Sequence, residues 1–438
     1  MIAAEVRNIE KRFQWFNHIP SNWEVMRLKN ICDGKLQYGI NIPANKYSDD
    51  GVRFLRTTDI NEDGEVIPNG IYIPKKEVPE SYILQKGDLL FSRSGTVGRC
   101  YLHDSDEEYC YAGFLVKFKP KNYLLSKLLY YTSLTKEFKY QIFSEAIEST
   151  ISNFNGNKYA VLRVAFPSDE NELKKLIDYL DFKYAEVKKF IQTKQRFIEL
   201  LKEQSQSIIT NAVTKGINDG VKMKETVLGK IPEHWQVRRL KFIAEVNFST
   251  VDKHSHKEEK QVRLCNYVDV YKHEYITNDF DFMIATATEV EIKRFTVEKG
   301  DVIITKDSET AADIAIPALV VEDLENVVCA YHLAHIKPNK ELVESEFLFR
   351  LFQSKKINSH FEVAAKGVTR HGLSYDDINS VFLPYPPTLK EQQEIIKHIK
   401  TETRTLDIAI SKAEREIELI KEYREAMIAE AVTGKMKL

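Results

Sequence analysis

The C-terminal end of the chain carries a long, uninterrupted heptad pattern. From Glu391 no proline or glycine occurs until Gly434, and apolar residues recur at alternating spacings of three and four. This pattern predicts one long helix with an apolar seam, which is stable only when the seam is buried against a partner. The seam positions are Ile396, Ile399, Leu406, Ile410, Ala413, Ile417, Ile420, Met427 and Ala431.

The same pattern occurs a second time, in the middle of the chain. Both copies end in Ala-Val-Thr, at 212–214 and 431–433, and a polar residue interrupts both seams in the same register, Ser205 in one and Arg424 in the other. Because the seam and its interruption both recur, we interpret the two stretches as duplicated helices. The earlier seam comprises Ile177, Leu180, Tyr184, Val187, Ile191, Ile198, Leu201, Ile208 and Ala212.

Two such helices would bury their seams most simply against each other, as an antiparallel coiled-coil pair. Each would contain about 45 residues and span roughly 65–70 Å. The alternative is that each helix packs on another protein, and both arrangements can hold because apolar residues also lie outside the seam. Those residues are the candidate partner-binding positions Phe197, Leu200, Leu419 and Ile428.

The region before each helix is also duplicated. An Ile-Pro pair followed by tryptophan opens each region, at 19–23 and 231–235, and a Lys-Gly-Asp turn precedes an apolar strand in each, at 86–88 and 299–301. Strand and helix patterns mix within both regions, so we predict an α/β (α+β) fold with a pseudo-two-fold internal repeat. The predicted boundaries are an N-terminal segment 1–18, globular domains 19–168 and 231–387, long helices 169–216 and 388–433, and a linker 217–230.

Composition narrows the class of protein. With 438 residues, of which 43% are hydrophobic and 29% charged, the chain fits a globular protein of more than one domain. No apolar run approaches a membrane span and the first residues lack the apolar core of a signal peptide, so we expect a cytoplasmic protein. Five scattered cysteines without a CxxC pair predict reduced thiols. A net charge of −2 argues against coating of nucleic acid by bulk attraction, but is compatible with binding through local basic loops.

The sequence lacks motifs for catalysis. An adenine methyltransferase needs an Asn/Asp-Pro-Pro-aromatic loop, and the one similar stretch, 384–388, lacks the acidic or amide residue. The glycine-containing stretch 94–98 lacks the lysine and the spacing of a phosphate-binding loop. The histidine pairs 254/256 and 332/335 have no third ligand at a suitable spacing, so we expect no metal site. We therefore predict a chain that is not an enzyme.

Together the duplicated motifs resemble those of the specificity (S) subunits of Type I restriction–modification systems, over nearly the whole chain. The first half departs from the family pattern at 166–170, where the family usually shows a Pro-Pro and a Glu-Gln pair. The resemblance is carried by the two Lys-Gly-Asp turns and by Trp15–Trp23, Leu228–Trp235, Gly367–Leu373, Leu383–Pro387 and Glu391–Ile395.

The resemblance implies a DNA reader without chemistry of its own. Two target recognition domains would each read one half of a split site in double-stranded DNA, and the helices would hold them apart and dock two methyltransferase (M) subunits. The M subunits would use S-adenosylmethionine and restriction (R) subunits would use ATP and Mg²⁺, so no cofactor is expected in this chain. Two alternatives stay open: a DNA methyltransferase or nuclease with fused recognition domains, and a coiled-coil scaffold without a DNA role.

Direct readout of DNA needs polar or basic side chains on loops that can enter a groove. The loop after each Lys-Gly-Asp strand, the polar loop before each last strand, and one early loop meet this requirement. Phosphate contacts outnumber base contacts in such interfaces, so most of these residues would position the duplex. The candidate DNA-binding residues are Lys35, Gln37, Tyr38, Arg93, Ser94, Thr96, Arg99, Ser152, Asn153, Asn155, Lys158, Lys306, Ser308, Thr310, Lys366, Thr369, Arg370 and His371.

Overall fold

The computed structural model describes residues 19–146 and 154–436 of the chain. The predicted N-terminal segment 1–18 and the candidate contacts Ser152 and Asn153 lie outside the described residues. The chain forms two compact units, one made of residues 1–194 and 415–438, the other of residues 195–414. The boundary between the units falls inside both long helices, whereas the sequence analysis placed domain boundaries at the helix ends.

The first unit is a mixture of short strands and helices. Its helices are α1 (Leu28–Ile31), α2 (Tyr123–Ser133), α3 (Lys136–Ala146), α4 (Gly156–Val161) and the first part of α5 (Glu170–Lys215). Its strands are β1 (Trp23–Arg27), β2 (Cys32–Tyr38), β3 (Val52–Leu55), β4 (Ile71–Ile73), β5 (Leu89–Ser92), β6 (Cys100–Leu102), β7 (Tyr109–Tyr111), β8 (Leu115–Pro120) and β9 (Arg163–Pro167).

The second unit has the same kind of content. Its helices are α6 (Tyr267–Lys272), α7 (Glu289–Phe295), α8 (Ser345–Gln353), α9 (Lys355–Ala364), α10 (Tyr375–Asn379) and the first part of α11 (Leu389–Val432). Its strands are β10 (Met223–Thr226), β11 (Gly229–Pro232), β12 (Gln236–Arg239), β13 (Ala244–Phe248), β14 (Lys260–Cys265), β15 (Tyr275–Ile276), β16 (Met283–Ala287), β17 (Val302–Thr305), β18 (Asp307–Ser308), β19 (Pro317–Val320), β20 (Val327–Cys329), β21 (Leu333–Pro338), β22 (His371–Gly372) and β23 (Phe382–Tyr385).

Sheet topology confirms the predicted internal repeat. In the first unit the strand orders are β2-β8-β5-β6 and β4-β3-β7, and in the second they are β13-β21-β17-β19-β15 and β16-β14-β20. The pairs β3–β7 and β14–β20 are parallel at equivalent places. The first and last strands of each domain also pair, as β1–β9 and β12–β23. The fold class is the predicted α/β (α+β) mixture.

The two long helices contain 46 and 44 residues. In the core of the first unit, Ile177 and Leu180 from the start of α5 pack with Met427 and Ala431 from the end of α11. In the core of the second unit the order is reversed, since the end of α5 packs with the start of α11, including Ile396. Within each unit, therefore, the helices run antiparallel and bury the predicted seam.

The interruption of the seam is accommodated differently in the two copies. In the first unit the Arg424 guanidinium carbon lies 5.4 Å from the centroid of the Tyr184 ring, and the group forms an ion pair with Asp63. In the second unit Ser205 is half-buried. The charged residue in the seam, Arg424, thus connects the end of α11 to the first globular domain.

Each repeated tryptophan anchors its domain on the first turns of a long helix. The indole Nε1 of Trp23 donates to Glu172 Oε1 at 3.2 Å, and that of Trp235 donates to Glu391 Oε1 at 2.9 Å. The Trp235 side chain is only 1% exposed. The Ile-Pro-x-x-Trp repeat therefore acts as a packing anchor in both domains.

The predicted linker contains regular secondary structure. Residues 217–230 contain β10 and the first part of β11, which form an antiparallel hairpin with Met223 opposite Pro232. Gly229 has a φ of +74°, in the left-handed region that favours glycine at this turn.

Candidate nucleic-acid interface

In the first domain three separate segments meet at one end of the central sheet. The Arg93 backbone N–H, just after β5, donates to the Phe114 carbonyl at 2.9 Å, and the Phe154 N–H donates to the Arg93 carbonyl at 2.7 Å. Tyr38, at the end of β2, reaches the same place, because its hydroxyl accepts from the Gly156 N–H at 3.0 Å. We call Tyr38, residues 93–99, Phe114 and residues 154–158 the first loop cluster.

The second domain builds the same junction. The Lys306 N–H, just after β17, donates to the His332 carbonyl at 3.1 Å, and the Leu373 N–H donates to the Lys306 carbonyl at 2.9 Å. Arg93 and Lys306 are therefore equivalent, and so are Phe114 and His332. We call residues 306–313, His332, residues 366–373 and the adjoining Tyr267 and Tyr271 the second loop cluster.

A cation lies on an aromatic ring in the first loop cluster. The Arg93 guanidinium carbon is 4.9 Å from the centroid of the Tyr38 ring, and Tyr38 is partly exposed. The loop behind them is fixed, since the Tyr159 hydroxyl donates to the Ser92 carbonyl at 2.7 Å and accepts from the Gly98 N–H at 2.9 Å. Cation and ring together form a flat, positively charged platform.

The other candidate residues of the first domain differ in their contacts and in their exposure. The Arg99 Nη1 donates to the Ile60 carbonyl at 2.7 Å, and the Asn155 side chain caps α4 by accepting from the Lys158 N–H at 3.1 Å. These groups hold the loops in place, and DNA contact by the two residues stays a prediction. The remaining candidates are Thr96, which is exposed, Gln37, Ser94 and Lys158, which are half-exposed, and Lys35, whose side chain lies outside what the structure describes.

The second loop cluster contains a polar network. Nδ1 of His332 lies 2.6 Å from Asp307 Oδ2 and 3.1 Å from Nη2 of Arg370. The rings of Tyr267 and Tyr271 stack beside it with centroids 5.4 Å apart. Together with Ser308, Glu309, Asp313 and Thr369, most of these residues line an open cavity of about 480 Å³.

The two tyrosines of this cavity keep their protons at neutral pH. The hydrogen bond from the Tyr271 hydroxyl to Asp313 raises the pKa of Tyr271 to about 12, and burial raises the pKa of Tyr267. Both phenols can therefore act as neutral hydrogen-bonding groups, and Asp313 is already occupied by one of them.

Two candidate residues of the second domain are largely covered by contacts within that domain. The Ser308 side chain is 5% exposed, because β18 pairs with β22, and its hydroxyl accepts from the Thr310 N–H at 3.3 Å. The Lys306 side chain is 18% exposed and its Nζ lies 5.3 Å from the centroid of the Phe248 ring. The other candidates lie at the surface: Thr310, Lys366, Thr369 and Arg370 are exposed and His371 is half-exposed.

The equivalent loops differ in charge. Residues 93–99 include two arginines and no acidic residue, whereas residues 306–313 include one lysine and three acidic residues. Formally the first stretch carries +2 and the second −2. The two equivalent loop stretches therefore carry formal charges of opposite sign.

The sequence analysis missed several residues of these surfaces. Phe114 is exposed at the first junction and Val368 at the tip of the hairpin that Lys366 and Gly372 close through mutual backbone hydrogen bonds. His332 was considered only as part of a metal pair. Exposed apolar residues run against the usual pattern of burial, so periodicity alone gives no signal for them.

The histidines do not gather into a metal site. His335 is buried and its Nε2 lies 2.6 Å from Asp301 Oδ2, inside the second domain. Over residues 19–146 and 154–436, no group of three or more histidine, cysteine, aspartate or glutamate residues could hold a metal ion. The expectation of a chain without a metal site remains a prediction.

The long helices carry exposed apolar residues away from the seam. Phe197, Leu200 and Leu419 are exposed, as the sequence analysis expected. Ile428 was wrong as a surface position, because its side chain is 1% exposed and packs in the core of the first unit. At 100° per residue some of the exposed apolar positions lie opposite the seam, whereas Phe190, Phe197 and Tyr423 flank it. The exposed apolar positions are Phe182, Phe190, Phe197 and Leu200 on α5, and Ile408, Leu419 and Tyr423 on α11.

None of the helices that the structure describes has the length and apolarity to span a membrane.

Comparison with known proteins gives matches to one family. The family model described as the Type I restriction modification DNA specificity domain matches twice, at residues 20–199 and 232–419, which together make up most of the chain. A putative type I restriction enzyme MjaX specificity subunit of Methanocaldococcus jannaschii is 24% identical, covering 96% of this chain and 95% of the relative. The EcoKI specificity subunit of Escherichia coli is 19% identical, covering 95% and 90%.

A solved structure supports the fold. One chain of a structure that addresses complex assembly and conformational transition of the type I R-M system superposes with a TM-score of 0.65 at 13% identity. The match covers 95% of this chain and 99% of that chain. The duplicated α/β domains with long helices are therefore a known arrangement.

Proposed function

Because the chain belongs to the family of Type I restriction–modification DNA specificity proteins, we propose that each of its loop clusters reads one half of a bipartite DNA site. The chain is the specificity subunit, a non-catalytic DNA-binding component of a restriction–modification complex. The observation that supports the split reading is the duplicated junction, in which Arg93 and Lys306 make the same backbone contacts. A methyltransferase or nuclease with fused recognition domains, and a scaffold without a DNA role, are not favoured.

The first loop cluster would contact both phosphates and bases. Arg93 is held on the Tyr38 ring at the junction, and a guanidinium can donate two hydrogen bonds to guanine or contact phosphate. No acidic residue lies in residues 93–99 to repel the duplex. This cluster therefore contributes favourable electrostatic attraction as well as readout.

The second loop cluster would depend more on specific geometry. Arg370 and Lys366 supply the exposed positive charge, while Asp307 and Glu309 can accept hydrogen bonds from the amino groups of cytosine or adenine. Acidic groups repel phosphate, so they are tolerated only where they face base edges. We assign most of the base readout of this half-site to the network around His332.

Chemistry would come from partner subunits. We assign S-adenosylmethionine to two M subunits and ATP with Mg²⁺ to R subunits, and we place the complex in the cytoplasm, where it can reach chromosomal DNA. The exposed residues Phe197 and Leu200 in the second unit, and separately Leu419 in the first unit, are the proposed docking positions for the M subunits. Large exposed apolar residues on a helix face mark such interaction sites.

Docking can be tested with Leu419→Asp and Leu200→Asp. A carboxylate in a buried interface costs several kcal/mol, so co-purification of the M subunit should fall strongly. The matched control is Lys421→Asp, at an exposed position on another face of α11. Unchanged co-purification of the two leucine variants would exclude these docking positions.

The function as a whole can be tested by mapping methylated adenines genome-wide in cells that carry the M subunit with or without this chain. A bipartite methylated motif that depends on the chain is expected. Tight S-adenosylmethionine binding by the purified chain alone would instead favour the fused methyltransferase. Retention on DNA together with the M subunit would exclude a scaffold without a DNA role.

A further inference from the structure

The two domains place different side chains at one equivalent backbone position. The Phe114 carbonyl accepts from Arg93 in the first domain, and the His332 carbonyl accepts from Lys306 in the second. His332 is in a polar network with Asp307 and Arg370. The Phe114 side chain has no hydrogen-bonding group, so it can make only apolar or aromatic contacts.

Phe114 is exposed although its backbone is fixed. Its side chain is 58% exposed. On one side the Gly113 N–H donates to the Ile40 carbonyl at 3.0 Å, and on the other the Leu115 N–H donates to the Ala112 carbonyl at 2.9 Å. A Cβ atom on Gly113 would lie 2.4 Å from Asn41 Oδ1, so the Asn41 side chain packs closely against this turn. The turn therefore presents a large apolar ring to solvent in one defined place.

The surroundings of Phe114 belong to the proposed DNA interface. Its carbonyl is bonded to Arg93, which lies on the Tyr38 ring, and Tyr38 pairs with Val116, two residues after Phe114. Because the backbones of Phe114 and Arg93 are hydrogen-bonded, the exposed Phe114 will lie near the duplex when Arg93 engages it. In the major groove the apolar group that distinguishes the bases is the 5-methyl of thymine.

Partial packing of the ring argues for contact with a base edge. An intercalating wedge must protrude between two base pairs, whereas Phe114 keeps two-fifths of its surface covered by its own domain. We propose that Phe114 contacts a thymine methyl group in the half-site read by the first domain, and that the second domain lacks this contact because His332 takes the equivalent position. This inference rests on the proposed function.

The first experiment identifies the base pair concerned. Methylated adenines are mapped in cells carrying the wild-type chain, Phe114→Ala or Phe114→Leu, each with the M subunit. The alanine variant should accept other bases at one thymine position of one half-site and leave the other half unchanged, while the leucine variant keeps most of the preference. Identical motifs for wild type and Phe114→Ala would overturn the inference, and a wild type without any bipartite motif would overturn the proposed function instead.

The second experiment isolates the methyl group. Binding of the purified complex with the M subunit is measured on duplexes of the mapped site in which that thymine is replaced by uracil, which lacks only the methyl. The wild-type complex should bind the uracil duplex about four-fold more weakly, as expected for one buried methyl group, and the Phe114→Ala complex should bind both duplexes equally.

Phe182→Ala is the matched control, because Phe182 is another exposed phenylalanine of the first unit, on α5. Its ratio of thymine to uracil affinities should equal that of the wild type. Equal affinities of the wild type for the two duplexes, or a preference retained by Phe114→Ala, would overturn the inference. A Phe114-dependent unstacking of the site, without a uracil effect, would also overturn it in favour of intercalation.

Discussion

The two loop clusters share a backbone junction and differ in charge. Arg93 and Lys306 accept and donate the same main-chain hydrogen bonds, but the loops that follow carry formal charges of +2 and −2. Both place a cation on an aromatic ring, Arg93 on Tyr38 and Lys306 on Phe248, but the second adds a carboxylate, imidazole and guanidinium network. Under the proposed function, the duplicated sheet would fix where DNA is read, and the side chains on its loops would determine how.

The second comparison concerns the attachment of each domain to its long helix. Both domains use a tryptophan that donates to a glutamate in the first turns, but Trp235 is fully enclosed and Trp23 is only partly buried. The first unit adds the ion pair between Arg424 and Asp63, where the second has Ser205. The second attachment also has ion pairs, His234 with Glu391 and Lys400 with Glu346, so the two differ chiefly in the burial of the tryptophan.

The largest expected effect follows from this difference in burial. Trp235→Ala removes a core side chain and should lower the free energy of unfolding of the second unit by about 3–5 kcal/mol. Trp23→Ala should cost clearly less, because its side chain is partly exposed. Chemical denaturation of the two variants, followed by circular dichroism, measures the difference; equal losses would contradict it.

The next effect separates the two loop clusters. Arg93→Ala and Arg370→Ala each remove a guanidinium from one cluster, and each should weaken recognition of one half-site by about 1–3 kcal/mol. The measurement is the rate of methylation of duplexes with substitutions in one half at a time. If both variants relax the same half-site, the assignment of one cluster to each half is wrong.

A smaller effect is expected at the seam. Arg424→Ser gives the first unit the residue type that the second has, and should destabilise that unit by about 1–2 kcal/mol, because the ion pair with Asp63 is only partly buried. Ser205→Ala in the second unit should change stability by less than about 0.5 kcal/mol. Shifts of the unfolding midpoint compare the two; a neutral Arg424→Ser would show that the pair does not stabilise the first unit.

The smallest effect concerns charge alone. Glu309→Lys replaces an exposed acid of the second cluster by a cation, and should raise nonspecific affinity at low salt and steepen the slope of log K against log salt by about one. Glu309→Gln serves as the control for loss of the carboxylate without a new charge. A slope that is unchanged in Glu309→Lys would mean that this loop does not face phosphate.

Much of this architecture could be predicted from the sequence because it repeats. The heptad seam, the Ile-Pro-x-x-Trp anchors and the Lys-Gly-Asp turns recur, and recurrence distinguishes a structural pattern from chance. Ile428 could not be assigned correctly, because the end of α11 packs on α5 and also on the first globular domain, where Phe138 joins the same core. A helical pattern shows an apolar face but not how many neighbours cover it.

The contacts of the loop side chains are harder to predict from the sequence. Ser308 looks like a free loop serine until β18 is seen to pair with β22, more than sixty residues later in the chain. The network of His332, Asp307 and Arg370 joins three distant segments, and Phe114 is exposed where apolar residues are normally buried. Long-range contacts and the exposure of single side chains leave no local periodic signal.

The most direct test of independent reading is an exchange of one unit. Because the first unit comprises residues 1–194 and 415–438, both segments are replaced by those of another family member with a known bipartite motif. Residues that contact each other across the two segments, as Asp63 and Arg424 do here, then come from the same donor protein. Methylated adenines are then mapped genome-wide in cells that express the exchanged chain with its M subunit. We predict a motif with one half from the donor and the other half unchanged. A motif altered in both halves would contradict the claim that each loop cluster reads its own half-site.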